Sequence, residues 1–376
     1  MLPAPSSLRG QISDVAGNLL SVLRGQRSSL GFAPVKKVAL IVLDGLGTHN
    51  LVSHSGHARV LTKALNGSGF SLRSGVPSTT SSVLASLTTG QAPGAHGMLG
   101  YSVFDPHSQT VLNHLKPFPD GVEPEQWQPC PTVFETLANE SIPSVTVGEA
   151  RFDGTDFTRA ILRGGTFSES NRLSRHIEIM RNFFDTNDTG LCYLYWPTLD
   201  RIGHSRGVGS ADWVDALETV DAWVGELSAS LRDDEAALVT ADHGMVSVSE
   251  SDHVVLGASD PLRADIAHFA GEPRCVHLYR GTDVDPEAFA QRVRAWVGGR
   301  GDVVTRDQAI HQGLFGDVAP SHVARIGDVI IFATASWVFY DEATASANSY
   351  QMVGQHGSSS EVETTVPLIP LGAWAV

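Results

Sequence analysis

Short runs of apolar residues in three parts of the chain each lead to an acidic residue. These runs are 38–43 (VALIVL), 192–196 (CYLYW) and 236–241 (AALVTA). Apolar runs of this length, rich in β-branched and aromatic residues, predict strands that are buried on both faces, as in a parallel sheet. Sheets of this kind bind ligands beyond the carboxyl ends of their strands. The acidic residues that follow the runs are Asp44, Asp200 and Asp242.

Helical patterns lie between the predicted strands. Residues 211–220 (ADWVDALETV) repeat apolar positions at a helical spacing. Strands that alternate with helices along a chain favour an α/β fold with a parallel sheet. We therefore predict an α/β/α sandwich with a largely parallel sheet.

The pattern changes between about residues 262 and 338. Strands are predicted at 276–279 and 302–305, and helices at 285–297 and 307–313. This region is expected to form a small α+β cap subdomain that helps to determine the substrate, with Arg274, His277 and Tyr279 as candidate contacts. The predicted organisation is an N-terminal helical extension (1–34), a catalytic core (35–261 and 339–376) and an inserted cap (262–338).

Composition narrows the class of protein. Hydrophobic residues make up 42% of the chain and charged residues 18%, which suits a globular core. Lys and Arg number 26 against 41 Asp and Glu, so the net charge is −15. This balance argues against binding to a nucleic-acid duplex or to an anionic membrane surface, since both require basic patches. The three cysteines are far apart, which argues against a disulfide framework or a thiolate zinc site.

The sequence also gives an expectation for location. The N-terminal region has no apolar run typical of a signal peptide, and no stretch of about 20 apolar residues occurs along the chain. We therefore expect a cytoplasmic protein without a membrane partner. The sequence holds no signal for the oligomeric state.

Histidines accompany the acidic residues at the predicted strand ends. Asp200 and His204 are four residues apart, so one helical turn would place them on the same face. His243 directly follows Asp242, and His356 precedes a glycine. Each feature alone is typical of a helix cap or a turn, but together they predict a metal site. Carboxylate and imidazole ligands without thiolates suit Zn²⁺, with Mn²⁺ or Fe as alternatives.

A segment rich in hydroxyl groups, residues 77–90 (PSTTSSVLASLTTG), is predicted to enter a helix. Ser and Thr are common helix caps. A hydroxyl at a helix N-terminus is also well placed to attack a bound phosphate, because that end of the helix favours anions. The residues alone leave the nucleophile open among Ser78, Thr79, Thr80, Ser81 and Ser82.

These motifs resemble those of the alkaline phosphatase superfamily. Asp44, Pro77-x-x-Thr80, Gly90 followed by His96-Gly97, Asp200-x-x-Gly203-His204, Asp242-His243-Gly244 and His356-Gly357 occur in the order typical of that superfamily. The resemblance covers about residues 35–370. More narrowly, the chain is similar to the type I phosphodiesterase/nucleotide pyrophosphatase branch, and it also resembles phosphonoacetate hydrolase.

The resemblance implies a site with two zinc ions per chain. One ion would be held by Asp200, His204 and His356. The other would be held by Asp44, Asp242 and His243, with Thr80 beside it as ligand and nucleophile. The implied activity is hydrolysis of phosphodiester or pyrophosphate bonds in small, nucleotide-like phosphate esters through a threonyl-phosphate intermediate.

One position departs from the pattern that the resemblance implies. An Asn that helps to hold the phosphate is expected three residues after the nucleophile, where this chain has Val83. A phosphomonoesterase or a phosphonoacetate hydrolase with the same two-metal site is therefore an alternative. An inactive, metal-stabilised protein that binds a phosphate ligand is an alternative of a different class. Candidates for stacking on a nucleobase are Tyr101, Phe104 and Trp196.

Overall fold

The computed structural model describes residues 8–375. The strands in chain order are β1 (Leu8–Gln11), β2 (Lys37–Leu43), β3 (Phe70–Arg73), β4 (Ser102–Asp105), β5 (Thr110–Asn113), β6 (Ser144–Gly148), β7 (Thr166–Glu169), β8 (Gly190–Trp196), β9 (Glu235–Thr240), β10 (Val246–Ser247), β11 (His253–Leu256), β12 (Ile266–Glu272), β13 (Cys275–Arg280), β14 (Gly301–Thr305), β15 (Val329–Ala333), β16 (Val338–Asp341), β17 (Gly354–Gln355) and β18 (Thr365–Gly372). The α-helices in chain order are α1 (Asp14–Leu23), α2 (Thr48–Ser53), α3 (Arg59–Gly67), α4 (Thr80–Thr89), α5 (Pro93–His96), α6 (Pro124–Trp127), α7 (Val133–Asn139), α8 (Asp156–Leu162), α9 (Leu173–Thr186), α10 (Thr198–Arg206), α11 (Ala211–Ser230), α12 (Pro286–Val297), α13 (Arg306–His311), α14 (Ala347–Tyr350) and α15 (Glu361–Thr364). Short 3₁₀ helices span Ala150–Phe152, Glu250–Asp252, Pro261–Asp265 and Pro320–Arg325.

The main sheet has eight strands within the described residues, in the order β1-β3-β18-β9-β2-β8-β6-β7. Strand β18 pairs antiparallel with both neighbours, and the other neighbouring strands pair parallel. The predicted α/β fold with a largely parallel sheet is confirmed. The three strands predicted from the apolar runs are β2, β8 and β9, and they are adjacent at the centre of the sheet.

Helices pack in two groups around this sheet. Helix α4 contacts α1, α7 and α8, while α11 contacts α3, α9 and α10. Residues 38–43 of β2 are buried without alternation. A strand covered by helices on both faces requires apolar side chains at every position, which explains the continuous apolar run.

A second sheet lies in the region that differs in sequence pattern. Its order is β12-β13-β15-β14, and all neighbouring strands pair antiparallel. Helix α12 contributes Phe289 and Val293 to a separate hydrophobic core, where they join Leu278 and Ile331 from the sheet. The hairpin formed by β4 and β5 contacts β12, so it lies beside this sheet.

The N-terminal segment contributes to the main sheet. Strand β1 pairs with β3, and Val15, Leu19 and Val22 of α1 are buried in the main hydrophobic core. Residues 1–7 of the predicted extension lie outside the described part of the chain. The division into extension, core and inserted cap stays a prediction.

The helices bear on the expectation that the protein has no membrane partner. In the described range, 8–375, none of them combines the length and the apolar character needed to cross a membrane. The cytoplasmic location stays a prediction.

Candidate metal and phosphate site

The predicted ligands meet at the carboxyl ends of the central strands. Asp44 follows β2, and Asp242 lies two residues beyond the end of β9. Asp200 lies on α10, the helix that begins after β8. His356 arrives from the distant end of the chain, directly after β17. Because β2 lies between β8 and β9, their neighbouring ends place all of these residues at one edge of the sheet.

A glycine allows β2 and α10 to approach closely. Gly45 has a φ of +77°, which favours glycine, and a Cβ at this position would lie 3.0 Å from the Cα of Asp200. A larger residue at position 45 would therefore separate Asp44 from Asp200. The local backbone thus requires the Asp-Gly sequence that ends the first apolar run.

Asp200, His204 and His356 form the first group of candidate ligands. Their ligand atoms all lie within 4.8 Å of one another. Nε2 of His204 is 3.3 Å from Oδ1 of Asp200 and 3.2 Å from Nε2 of His356. The helical spacing of Asp200 and His204 therefore directs both side chains to one point, as predicted.

Asp44, Asp200 and His243 form a second group, whose ligand atoms also lie within 4.8 Å of one another. Nε2 of His243 is 3.5 Å from Oδ1 of Asp44. Asp242, which was predicted for this group, has its Oδ2 atom 3.4 Å from the same nitrogen. Asp200 thus belongs to both groups and lies between them, a position that its place in the sequence does not indicate.

The three imidazole rings all direct Nε2 into the site. Nδ1 of His204 lies 2.7 Å from the carbonyl oxygen of Gly354, and Nδ1 of His356 lies 3.0 Å from that of Ser78. Nδ1 of His243 lies 3.2 Å from the carbonyl oxygen of Gly244. A carbonyl can only accept, so these contacts assign the proton to Nδ1 and leave a lone pair on Nε2. Metal-binding histidines are commonly oriented in this way.

One oxygen of each carboxylate at the centre of the site lacks a hydrogen-bond donor. Oδ1 of Asp44, Oδ1 of Asp200 and Oδ2 of Asp242 are buried, and no protein group donates to them. Burial, followed by the charges of Asp242 and Asp200, raises the pKa of Asp44 well above its usual value. Buried carboxylate oxygens without donors, facing imidazole lone pairs, fit cations rather than each other. This donor set fits the predicted pair of metal ions.

The protonation state of His356 also fits a metal site. The rings of His243 and His356 are stacked with centroids 3.6 Å apart. Burial, together with the proximity of His243 and His204, lowers the pKa of His356 well below its usual value. The ring of His356 is therefore neutral near pH 7, which is the state in which imidazole binds metals.

Among the five candidate nucleophiles, Thr80 is the one whose hydroxyl contacts a predicted metal ligand. It is the first residue of α4, and its Oγ1 lies 3.2 Å from Nε2 of His243. The hydroxyl of Ser78 donates to the carbonyl of Ser358, and that of Ser81 donates to the carbonyl of Gly100. Thr79 and Ser82 are buried, at 1% and 0% exposure. The geometry therefore favours Thr80 among the five candidates.

Tyr195 belongs to the site but was missed by the sequence analysis. Its hydroxyl donates to Oδ2 of Asp44, which orients that carboxylate and leaves Oδ1 directed at His243. Burial and the charges of Asp44 and Asp242 raise the pKa of Tyr195 well above its usual value. The sequence signal was its place in β8, one residue before the strand ends, where parallel strands present side chains to a ligand site.

Glu272 was also missed, and no motif marks it. It lies at the end of β12, its Oε1 has no donor, and its Oε2 is 3.9 Å from Nδ1 of His356. Burial raises the pKa of Glu272 well above its usual value. A Cβ at Gly357 would lie 2.6 Å from its carboxyl carbon, and Gly357 has a φ of +126°. The second sheet therefore contacts the site through Glu272.

The three candidate substrate contacts in the second sheet have structural partners instead. Arg274 is fully buried, with Nε and Nη2 at 2.7 and 2.8 Å from the carboxylate oxygens of Glu363. Nδ1 of His277 accepts from the backbone N–H of Gly327, and the hydroxyl of Tyr279 donates to the carbonyl of Arg325. The expectation that these side chains contact the substrate is not supported, because all three are buried and hold the second sheet in place.

Val83, the position that departs from the expected pattern, is buried next to the site. Its side chain is 1% exposed and packs in the main hydrophobic core, whereas the next residue, Leu84, lines a cavity beside the site. Val83 itself is not among the residues that line this cavity. The alternatives that were drawn from this position stay predictions.

A cavity of about 740 Å³ extends from the metal-ligand cluster. Asp44, Thr80, Asp200 and His204 line one end of it. The aromatic side chains in its wall are Phe152, Phe157, Phe167, Tyr193 and Tyr195. The predicted stacking residues Tyr101, Phe104 and Trp196 do not line this cavity in the described structure. The substrate-sized space next to Thr80 is thus formed by aromatic residues that the sequence analysis did not select.

The fold and the site define an α/β protein with an acidic and histidine-rich cluster at the carboxyl edge of its main sheet and a hydroxyl at a helix N-terminus. The family model of type I phosphodiesterase / nucleotide pyrophosphatase matches residues 38–359. The chain belongs to this family of enzymes, whose metal-dependent members hydrolyse phosphate esters, and the predicted resemblance is confirmed.

Solved structures share the fold over most of the chain. Murine ectonucleotide pyrophosphatase / phosphodiesterase 5 superposes with a TM-score of 0.68 at 17% identity, covering 89% of this chain and 87% of that one. Phosphonoacetate hydrolase from Sinorhizobium meliloti in complex with phosphonoacetate gives 0.67 at 18% identity, covering 90% and 91%. At these identities the likeness shows a common fold.

Curated relatives match a shorter stretch. Phosphopentomutase from Syntrophotalea carbinolica is 31% identical over 117 residues, and that from Clostridium perfringens is 28% identical over 116 residues. The matched stretch is 30% of this chain and 27% of either relative. The chain therefore matches about a quarter of the length of these relatives.

Proposed function

We propose that the protein is a zinc-dependent hydrolase that cleaves phosphodiester or pyrophosphate bonds of small phosphate esters, with Thr80 as the nucleophile. The observation that carries this proposal is the position of the Thr80 hydroxyl, 3.2 Å from His243 at the first turn of α4 and beside two groups of candidate metal ligands. An inactive threonine-to-alanine variant of the murine phosphodiesterase is described in complex with AMP, which is consistent with a threonine-dependent reaction in that protein.

Two metal ions fit the residues present. Asp200, His204 and His356 would hold one ion, and Asp44, Asp242 and His243 would hold the other beside Thr80, with Asp200 close enough to contact both. When bound, the ions supply positive charge that lowers the pKa of a hydroxyl and stabilises developing oxyanions. Two divalent ions contribute +4 and three carboxylates −3, so the occupied site has a formal charge of +1. A site of that sign attracts phosphate although the chain as a whole carries −15.

The N-terminus of α4 is suited to the phosphate oxygens. The N-cap residue Thr79 makes no side-chain capping hydrogen bond, so the N–H groups of the first turn are free of a side-chain acceptor. Such N–H groups and the helix dipole favour an anion at this end of a helix. A phosphate held there has its phosphorus next to Thr80.

The reaction then proceeds in two displacements. The Thr80 oxygen attacks phosphorus, the bond to the ester oxygen breaks, and the alcohol leaves with a proton, giving a threonyl phosphate. Water then attacks phosphorus, the bond to Thr80 breaks, and the hydroxyl of Thr80 regains its proton as phosphate or a phosphate monoester departs. The orientation of Asp44 by Tyr195 and of the rings by backbone carbonyls keeps the ligands directed at the reaction centre.

Substitution of Thr80 tests the nucleophile. Thr80→Ala is expected to lower kcat by about 10³-fold or more, since removal of an attacking group from a covalent mechanism costs at least this much. Thr80→Ser keeps the hydroxyl and is expected to retain most of the activity. Metal content is measured on both variants as the control. Activity of Thr80→Ala near that of the wild type, with its metal retained, would show that the proposed nucleophile is wrong.

A substrate panel separates the reaction classes. Bis(4-nitrophenyl) phosphate, 4-nitrophenyl phosphate and phosphonoacetate are each assayed with and without a chelator, and bound metal is measured by mass spectrometry. We expect the diester to give the highest kcat/KM, loss of activity with chelator, and two zinc ions per chain. Preference for the monoester or for phosphonoacetate supports those alternatives. No turnover by the metal-loaded protein supports a role as an inactive ligand-binding protein.

A further inference from the structure

The cavity beside Thr80 has an apolar interior. Leu84 of α4 lies one turn from Thr80, and α8 contributes Phe157, Ile161 and Leu162. Strand β7 adds Phe167 on the same wall. The side chains that surround this space are therefore mostly carbon, although it opens directly onto carboxylates and imidazoles.

Three of the polar side chains that border the interior, those of Thr155, Thr158 and Tyr195, already have hydrogen-bond partners. Thr155 caps α8 by accepting from the N–H of Thr158, and its hydroxyl lies 3.2 Å from the carbonyl oxygen of Phe152 and 3.0 Å from the hydroxyl of Thr158. The hydroxyl of Tyr195 donates to Asp44. The hydroxyl protons of Thr155 and Tyr195 are thus already engaged, so neither group can donate to a sugar or a base without giving up an existing hydrogen bond.

Two arginines border the cavity, but one glutamate partners both. Nε of Arg151 is 2.7 Å from Oε2 of Glu149, and Nη1 of Arg201 is 3.4 Å from Oε1 of the same residue. The guanidinium of Arg151 also stacks over the ring of Phe152 at 4.6 Å. A second phosphate group, as in a nucleoside diphosphate, would have to compete with Glu149 for these cations.

Exposed polar side chains lie at the rim of the cavity. Asn348 of α14 and Gln351, the residue directly after that helix, are exposed and line the cavity. Polar side chains at the rim and carbon in the interior give a gradient from solvent to the site. Such a gradient favours an apolar group that is anchored at one end by a charged group.

We propose that this cavity binds an apolar organic group of the phosphate ester, an alkyl chain or an aryl ring, while the phosphate is held at Thr80. The inference rests on the proposed function, because the phosphate must lie at Thr80 for its substituent to enter the cavity. It replaces the expected nucleotide-like substrate with esters of hydrophobic alcohols. Burial of apolar surface then contributes to affinity in proportion to the size of that group.

Alkylphosphonates test this inference without turnover. Each molecule has a single organic group and a carbon–phosphorus bond that ester hydrolysis does not cleave, so its Kd for the metal-loaded protein reports the cavity directly. From methyl- to octylphosphonate we expect the Kd, measured by calorimetry, to fall about threefold to fourfold per methylene until the cavity is filled. Adenosine 5′-phosphate is expected to bind more weakly than octylphosphonate.

A variant of the cavity wall provides the matched comparison. Phe157 is half-buried, and Phe157→Asn introduces an amide into the apolar interior. This variant is expected to lose most of the gain per methylene while binding methylphosphonate within about twofold of the wild type. Phe157→Leu, which stays apolar, is expected to keep the gain. Phe183→Asn on α9 is the control outside the cavity and is expected to behave as the wild type.

The outcomes separate the inference from the proposed function. If methylphosphonate binds and small esters are hydrolysed, but the Kd does not depend on chain length, the apolar cavity inference is wrong and the proposed function stands. Tighter binding of adenosine 5′-phosphate than of octylphosphonate also overturns the inference. If neither methylphosphonate binding nor ester hydrolysis is seen with the metal-loaded protein, both proposals are wrong.

Discussion

At the scale of single residues, the orientation of each ligand is set by an atom outside the site. His204, His356 and His243 each turn Nδ1 to a carbonyl, and Tyr195 fixes one oxygen of Asp44. Buried lone pairs that point at one another are unfavourable unless a cation lies between them. Metal affinity and ligand orientation are therefore linked at this site.

Asp200 belongs to both ligand groups, and the metal content of variants tests this double role. Because Asp200 belongs to both ligand groups, Asp200→Ala is expected to lose more bound metal than Asp242→Ala, approaching loss of both ions. Mass spectrometry of protein dialysed against trace zinc measures the effect. His57→Ala changes an exposed histidine paired with Glu218 and is the control. Equal loss in the two aspartate variants would show that Asp200 does not connect the two groups.

At the scale of elements, one buried ion pair connects the second sheet to the loop that carries His356. Arg274, next to β13, forms two contacts with Glu363 of α15. Glu363 also accepts from the N–H of Ser358 and from the hydroxyl of Ser360. The segment just after His356 is thus held by a carboxylate whose charge is balanced from the second sheet.

Removal of one partner tests this connection. Arg274→Met leaves the Glu363 carboxylate buried without its cation, which is expected to lower the free energy of unfolding by about 3–5 kcal/mol. Urea unfolding measures this change. The double variant Arg274→Met/Glu363→Gln removes the unpaired charge and is expected to recover part of the loss. A single variant within about 0.5 kcal/mol of the wild type would show that the pair is not important for stability.

At the scale of the whole molecule, buried neutral histidines link stability to pH. Burial lowers the pKa of His96, His114 and His277 to about 3 and that of His176 to about 4. Unfolding exposes these rings, which then bind protons near their ordinary pKa of 6.5. Because the folded-state pKa is depressed, their contribution is fully present above 6.5 and is lost as the pH falls toward the folded value. Acid is therefore expected to destabilise the protein below about pH 6.5.

One of these histidines can be isolated by substitution. His114 lies with Nδ1 2.6 Å from the carbonyl oxygen of Gly100, and it accepts from Nε1 of Trp127. His114→Gln is expected to destabilise the protein at pH 7 but to reduce the loss of stability between pH 7 and pH 5 by about 2 kcal/mol. Urea unfolding of metal-free protein at both pH values measures the difference. An equal pH-dependent loss in wild type and variant would contradict the assignment of a buried neutral ring.

The strands that form the site were predictable because each carries a local signal. The apolar runs before Asp44 and Asp242 appear as β2 and β9, and the spacing of Asp200 and His204 appears as one turn of α10. A continuous apolar run can be buried only in the centre of a covered sheet, and a four-residue spacing meets only on a helix. These features depend on neighbours in the sequence, so the sequence alone is sufficient to predict them.

Other parts of the site depend on segments that are far apart in the chain. Glu272 reaches His356 across a separation that no motif spans, and Val83 and Leu84 are both buried in the main core, but only Leu84 also lines the cavity.

By itself, the sequence determined the class of fold, the family and the identity of the candidate ligands, because periodicity and motif spacing are local. The tertiary structure decided the position of Asp200 between the two groups, the partners of Arg274 and the apolar interior of the cavity. These depend on how α8, β7 and the second sheet pack against the central strands, and packing is set by shape and burial over the whole chain.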